Sequence, residues 1–226
     1  MAEPTDPAGG TGSQALDITK AAGEPPVMSR RPTFHMIAFR GHRDAEQFIA
    51  RMHRLVNGHR AGWAHDTIVN TEADFIRAIQ IPADFIIVSA HGLTALGGGT
   101  SILAIGNEHG PNVYLSDLAA KKVRFGATAG IFWDVCGAGR PPSRAALAGL
   151  AADHVVHIAP IRKMYWADAV HVGDAIVRSL VIPGSSAITP DAVAAVGAIA
   201  AASGHMRLWH APIRLTSTFQ RRHSPG

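Results

Sequence analysis

Cysteine is nearly absent from this chain, with one residue, Cys136, in 226. A single thiol excludes an internal disulfide framework and points to a reducing compartment, so a cytoplasmic location is expected. Long hydrophobic runs are missing too: no apolar stretch approaches the ~20 residues that span a bilayer, and no membrane partner is expected. The alanine-rich stretch from Asp191 to Ser203 is short and reads as a packed helix. The first residues carry acids, prolines and glycines without a cationic flank or an apolar h-region, so no signal peptide is expected. Charged residues are sparse at 17% and aromatics at 6%, against 47% hydrophobic, which describes a well-buried core and not a disordered chain. The formal net charge is +4. However, the basic pairs Arg30-Arg31, Lys121-Lys122 and Arg221-Arg222 lie at segment edges, with no aromatics interleaved to stack bases. Nucleic acid is therefore not expected as a partner.

A chain of this length fits one large domain with tails. Residues 1–32 are rich in Pro, Gly, Ala, Ser and Thr and read as a flexible leader, residues 33–215 as the domain, and residues 216–226 as a basic C-terminal tail. From Thr33 the pattern alternates between strand and helix. Strands are expected at Thr33 to Phe39, Trp63 to Asn70, Asp84 to Ala90, Ala129 to Val135, His154 to Ala159 and Met206 to His210. Helices are expected from Arg43 to Asn57, from Thr71-Glu72 to Pro82, from Trp166 to Leu180 and from Asp191 to Ser203, with shorter ones capped by Ser116 and Ser143. Gly97 to Gly99 reads as a loop, and Ile102 to Ile105 with the following Gly106–Gly110 turn reads as a hairpin at the sheet edge. The expected fold is α/β: a central, mostly parallel six-stranded sheet flanked by helices in three layers. Binding sites in such sheets form beyond the carboxyl ends of the strands.

Two expected strands end at that side in residues that carry chemistry. One runs Phe85-Ile-Ile-Val-Ser-Ala-His91-Gly92, and the other Gly130-Ile-Phe-Trp-Asp-Val-Cys136-Gly-Ala-Gly139. A thiol attacks an amide carbonyl as thiolate and needs a base nearby, a role His91 fills while also protonating the leaving amine. A lone cysteine at a strand end is more often a small core hydrophobe. A second strand ending in His-Gly, 45 residues earlier, is hard to obtain from core packing and turns the balance toward a catalytic dyad. The N–H groups of Gly92 and Cys136 are the natural pair for the developing oxyanion. Gly92 also permits close approach of substrate.

Strand-His-Gly followed by strand-Asp-x-Cys-x-small-Gly resembles the caspase-like cysteine peptidases, including metacaspases and bacterial caspase-like or CHAT-type domains. Caspases proper have Gln-Ala before the cysteine and glycine two residues after it. Here Asp134-Val135 precedes the thiol and Gly139 lies three residues after, which is similar to the metacaspase pattern. The resemblance implies a caspase-like fold and cysteine endopeptidase activity on a protein or peptide substrate. It also implies that Asp134 lines the pocket for a basic P1 residue, with capping of backbone N–H groups as its bland alternative. Caspases that cut after aspartate use arginine from the loop after the first strand. Arg40 or Arg43 would on that ground favour an acidic P1, or pair with Asp134 and close the pocket. Tyr165 and Trp166 stand where related enzymes place substrate-groove residues. A stand-alone peptidase of this size has to be restrained, by a latent loop, by self-cleavage or by a partner, so a regulatory protein partner is expected; the resemblance adds that bacterial relatives often work in stress or defence pathways.

Other chemistries fit less well. A cysteine phosphatase needs arginine six residues after the thiol, where Pro142 stands. An amidotransferase elbow needs glycine where Asp134 stands. Thirteen histidines show no pair with ligand spacing in a helical or CxxC context, so neither metal nor cofactor is expected. The remaining rival is a caspase-like domain kept as a non-catalytic protein-interaction module.

Overall fold

The computed structural model describes residues 30–58, 62–94, 102–107, 109–181 and 187–210. The leader expected over 1–32 falls almost wholly outside them, as do the basic tail and the Gly97–Gly99 loop. In chain order the elements are β1 (Thr33–Phe39), α1 (Arg43–Gly58), β2 (Trp63–Val69), α2 (Glu72–Gln80), β3 (Phe85–Thr94), β4 (Ile102–Gly106), β5 (Asn112–Tyr114), α3 (Leu115–Ala120), β6 (Gly130–Val135), α4 (Pro141–Ala148), β7 (Val156–Pro160), α5 (Trp166–Leu180), α6 (Pro190–Ala202) and β8 (Met206–His210). The sheet runs β2-β1-β3-β6-β7-β8. Its first five strands are parallel, and β8 closes the edge antiparallel to β7. The order reverses between β1 and β3, so the crevice of a doubly wound sheet opens beyond the ends of those strands.

Alternation along each central strand builds two cores. Phe34, Met36 and Ala38 of β1, Phe85 and Ile87 of β3, and Phe132 of β6 pack under α1, α5 and α6. Ile37, Phe39, Ile86, Val88, Ile131 and Trp133 point the other way, against α2, α3 and α4. A sheet buried on both faces reads as continuous apolar sequence, which is why these strands stand out in the chain. On the second face Trp133 donates its Nε1–H to His157 Nδ1 at 3.0 Å, and the His157 ring stacks on Trp209 at 5.1 Å. Burial, aided by His210, lowers the His157 pKa to about 3, so this imidazole is a neutral acceptor tying β6 to β7 and β8.

Three local expectations change. First, β3 does not stop at Ala90. It pairs with β6 up to that residue, then continues to Thr94 as the partner of β4. The hairpin of β4 and β5 therefore rises from the end of a central strand and not from the sheet edge. Second, Ser116 lies inside α3, whose N-cap is Tyr114. Third, Ser143 lies inside α4: Pro141 and Pro142 have φ already set for a first helical turn, so Arg140 is the N-cap and the helix opens three residues early. Thr71 does cap α2, accepting from the Asp74 N–H at 3.1 Å.

The α1/α5 contact holds the helices that wall one side of the sheet's carboxyl end. Arg51 donates to Asp174 from Nε at 3.1 Å and from Nη2 at 2.8 Å. Beside this pair Gly173 faces the buried Phe48 ring, and a Cβ there would lie 2.8 Å from two ring carbons and 3.1 Å from Met52 Sδ. Gly173→Ala gains ~1 kcal/mol of helix propensity but incurs ~1–3 kcal/mol of overpacking against a ring that cannot retreat. The expected result is a net loss of stability of about 1 kcal/mol by urea melting. An unchanged or raised midpoint would show that the helices have room to separate.

Candidate active site

The site follows from the register of β3 against β6. Phe85 pairs with Gly130, and the constant offset of 45 residues continues to Ser89 with Asp134 and Ala90 with Val135. Period-two alternation then puts Phe85, Ile87, Ser89 and His91 on the same side as Gly130, Phe132, Asp134 and Cys136. Under α1 and α5 that side is apolar, and Ile87 and Phe132 are fully buried. Beyond the helices it turns polar, in a cleft of about 300 Å³ bordered by Ser89, His91, Asp134 and Cys136. β3 parts from β6 at Ala90 to join β4, while β6 itself ends at Val135, so the two strands separate where the thiol and the imidazole emerge.

Cys136 is half-buried. The next residue, Gly137, has φ of 75°, a left-handed turn that favours glycine. The chain is then tied to the end of β7: Gly139 N–H donates to Pro160 O at 2.8 Å, and Arg140 Nε to Ile161 O at 2.8 Å. Sγ accepts from the Met164 N–H at 3.4 Å and lies 3.8 Å from the Met164 carbonyl oxygen. His91 lies flat on His42, with ring centroids 3.9 Å apart and planes 24° from parallel. His42 Nδ1 accepts the Ala45 N–H at 3.3 Å at the start of α1, which pins its ring and its tautomer. The stack therefore holds the plane of His91 against the α1 terminus.

Asp134 accepts a hydrogen bond from Ser89 Oγ at 2.5 Å. Burial raises its pKa to about 6, and the Ser89 bond only partly offsets that cost. It is thus a half-buried carboxyl on the wall of a cleft, hydrogen-bonded by a neutral hydroxyl. Tyr165 and Trp166 line the same cleft and are 68% and 42% exposed, and Lys163 Nζ lies 5.5 Å from the Tyr165 ring centre.

Five of the residues expected from sequence meet here: His91, Cys136, Asp134, Tyr165 and Trp166. Gly92 follows on β3, opposite Ile105 of β4. Arg40 is elsewhere. It lines a separate cleft with Asn70, Asn107 and His109, and its carbonyl accepts from Asn107 Nδ2 at 3.0 Å. Among the described residues Asp134 forms no ion pair with Arg40 or with Arg43, which opens α1. Ser89, His42, Lys163 and Met164 belong to the site and are not evident from sequence. Ser89 was within reach, since it sits two residues before His91 on the same face and 45 before Asp134. His42, Lys163 and Met164 arrive on loops whose path no strand pattern reveals. Among the described residues no group of three or more His, Cys, Asp or Glu side chains is arranged to hold a metal ion, and no helix is long and apolar enough to cross a membrane.

No family model matches the chain, and no curated protein matches it. Among solved structures, it is similar to a secreted C11 cysteine protease from Bacteroides thetaiotaomicron, determined with an irreversible peptide inhibitor, at 13% identity and a TM-score of 0.48. The similarity covers 76% of this chain and 59% of that one.

The Asp134 carboxyl binds its proton more tightly folded than unfolded, since its folded pKa is about 6 against an ordinary 3.8. Its contribution to stability is therefore fully present below about pH 4 and is lost as the pH rises through 6. Asp134→Asn keeps an acceptor for Ser89 and removes this loss. The variant is expected to exceed the wild type at pH 7.5 by on the order of 1–3 kcal/mol in urea melts, with the gain shrinking toward pH 4. A gain that did not change between the two pH values would contradict the raised carboxyl.

Proposed function

We propose that this chain is a caspase-like cysteine endopeptidase that cleaves after arginine or lysine. The observation that supports it is the single cleft in which Cys136, His91 and the carboxylate of Asp134 share one side of two adjacent parallel strands. Cys136 Sγ as thiolate attacks the scissile carbonyl. The carbonyl electrons move to oxygen, and the oxyanion is held by the N–H groups of Gly92 and Cys136. His91 gives a proton to the leaving amine, so the C–N bond breaks and a thioester remains. Water then releases the acid, with His91 accepting its proton and returning it to the thiol. His42, stacked under His91, keeps the ring from turning away through these transfers.

Asp134 takes the P1 side chain. A half-buried carboxylate that forms no ion pair among the described residues recovers desolvation cost when a guanidinium or ammonium arrives, and that gain is available only to a basic residue. Ser89 holds the carboxylate in one orientation. A latent resting state also fits the thiol, which is half-buried with its sulfur already engaged by the Met164 N–H. Release by a regulatory partner or by cleavage would free that sulfur for substrate.

A peptidyl electrophile with arginine at P1 is expected to label Cys136. His91→Ala is expected to slow labelling by ~10²–10⁴-fold, the usual worth of a positioned proton donor and acceptor. Asp134→Asn is expected to cut turnover of arginine-P1 peptides by about 100-fold while barely changing that of neutral-P1 peptides. Absence of labelling under every activating condition would overturn the enzyme and leave the non-catalytic interaction module. Preference for aspartate at P1 would overturn the role of Asp134.

A further inference from the structure

A second cleft of about 350 Å³ lies on the other side of the segment 161–165 and shares Lys163, Met164 and Tyr165 with the first. The ends of β7 and β8 contribute Pro160 and Met206, and α5 contributes Asp168, His171 and Val172. Its charge is opposite in kind to that of the Asp134 cleft. Two permanent cations, Arg162 and Lys163, and two imidazoles, His171 and His205, face the single carboxylate of Asp168. Arg162 Nη2 lies against the His205 ring, 2.8 Å from Nε2. A guanidinium carries five N–H donors in a planar fork that matches a carboxylate, and the His205 contact engages Nη2 alone. Arg162 is exposed and its backbone follows directly on Ile161, whose carbonyl accepts from Arg140 in the turn after the thiol. The cation is thus mechanically joined to the catalytic cysteine's own loop.

We propose that this cleft is a specificity subsite for an acidic side chain of the substrate, seated on Arg162 within about four residues (~13 Å of extended chain) of the scissile bond. The inference rests on the peptidase reading and deepens it. Substrates would be dipolar segments, with a basic residue at Asp134 and a glutamate or aspartate across the 161–165 wall. Charge complementarity and the shared wall single out an acidic residue of the same peptide as the occupant. The clefts share Lys163, Met164 and Tyr165, so a single extended chain would touch both, and neither charge alone would define a cleavage site.

The test uses peptides with arginine at P1 in which glutamate or its isostere glutamine is scanned across the flanking positions. Binding to the full-length Cys136→Ala protein is measured by fluorescence polarisation, independently of turnover. At one or two positions glutamate is expected to bind ~3–5-fold tighter than glutamine, the upper end for an ion pair at an exposed site. Arg162→Gln in the same background is expected to bring that ratio below about twofold while leaving the affinity of the all-glutamine peptide within about twofold. Arg162→Glu is expected to reverse it, so that glutamine, and lysine added at the same position, bind tighter than glutamate, which a merely misfolded variant would not do. No peptide binding, no glutamate preference at any position, or a preference that survives both Arg162 variants overturns the subsite. Cleavage of the same peptides by the wild type is read separately. An intact glutamate preference in binding with no cleavage sinks the peptidase and leaves the subsite standing.

Discussion

The pairing of β3 with β6 in a single register is the constraint on which the rest of this molecule depends. Parallel strands with an offset of 45 residues place Ser89 beside Asp134. The same offset, carried to the strand ends, brings an imidazole and a thiol out on one side of the sheet. A slip of one residue would send Asp134 into the opposite, apolar core and bury the thiol with it. The register is protected from both faces. Ile87 and Phe132 are fully buried under α1 and α5, while Ile86, Val88, Ile131 and Trp133 fill the other core. The Trp133–His157 hydrogen bond adds a directional tie between β6 and β7.

Above that base, electrostatics divides the carboxyl end of the sheet into two neighbouring clefts. One holds a half-buried carboxyl whose pKa burial raises to about 6, with a neutral hydroxyl as its donor. The other is dominated by Arg162 and Lys163. The segment 161–165 separates them and also supplies the N–H that meets the thiol. It is anchored by Gly139 and Arg140, which bond to Pro160 and Ile161, so the nucleophile's turn and the wall between the clefts form one unit. Movement of that wall would alter access to the sulfur and the spacing of the two clefts together.

Much of the fold is legible in the chain because it depends on short-range pattern. β1, α5 and β8 begin and end where apolar periodicity starts and stops, at Thr33 and Phe39, Trp166 and Leu180, and Met206 and His210. Where several signals compete, boundaries are less readable. Serine was a plausible cap at 116 and 143, but Tyr114 and a proline pair opened those helices earlier. The extension of β3 past Ala90 could not be seen locally, because His91 to Thr94 are strand only through pairing with a hairpin that follows later in the chain. Arg40 shows the same limit from another side. Its place after β1 is local, but the Asn107 side chain that holds its carbonyl draws it into a different cleft.

What the sequence by itself determined was the inventory: which segments are buried strands, where the helices between them run, and that a lone thiol and an imidazole end two of those strands. These follow from periods of two and 3.6 residues and from strand termination, which neighbouring residues settle among themselves. Only the tertiary structure decided how that inventory is set to work. It stacked His42 on His91, gave Asp134 the Ser89 hydroxyl, laid Met164 against the sulfur and moved Arg40 out of the cleft. The physical reason is that the Ser89–Asp134 bond depends on the β3/β6 register and the others on loop paths between packed elements, and both are set by cores and pairings that lie far away in the chain.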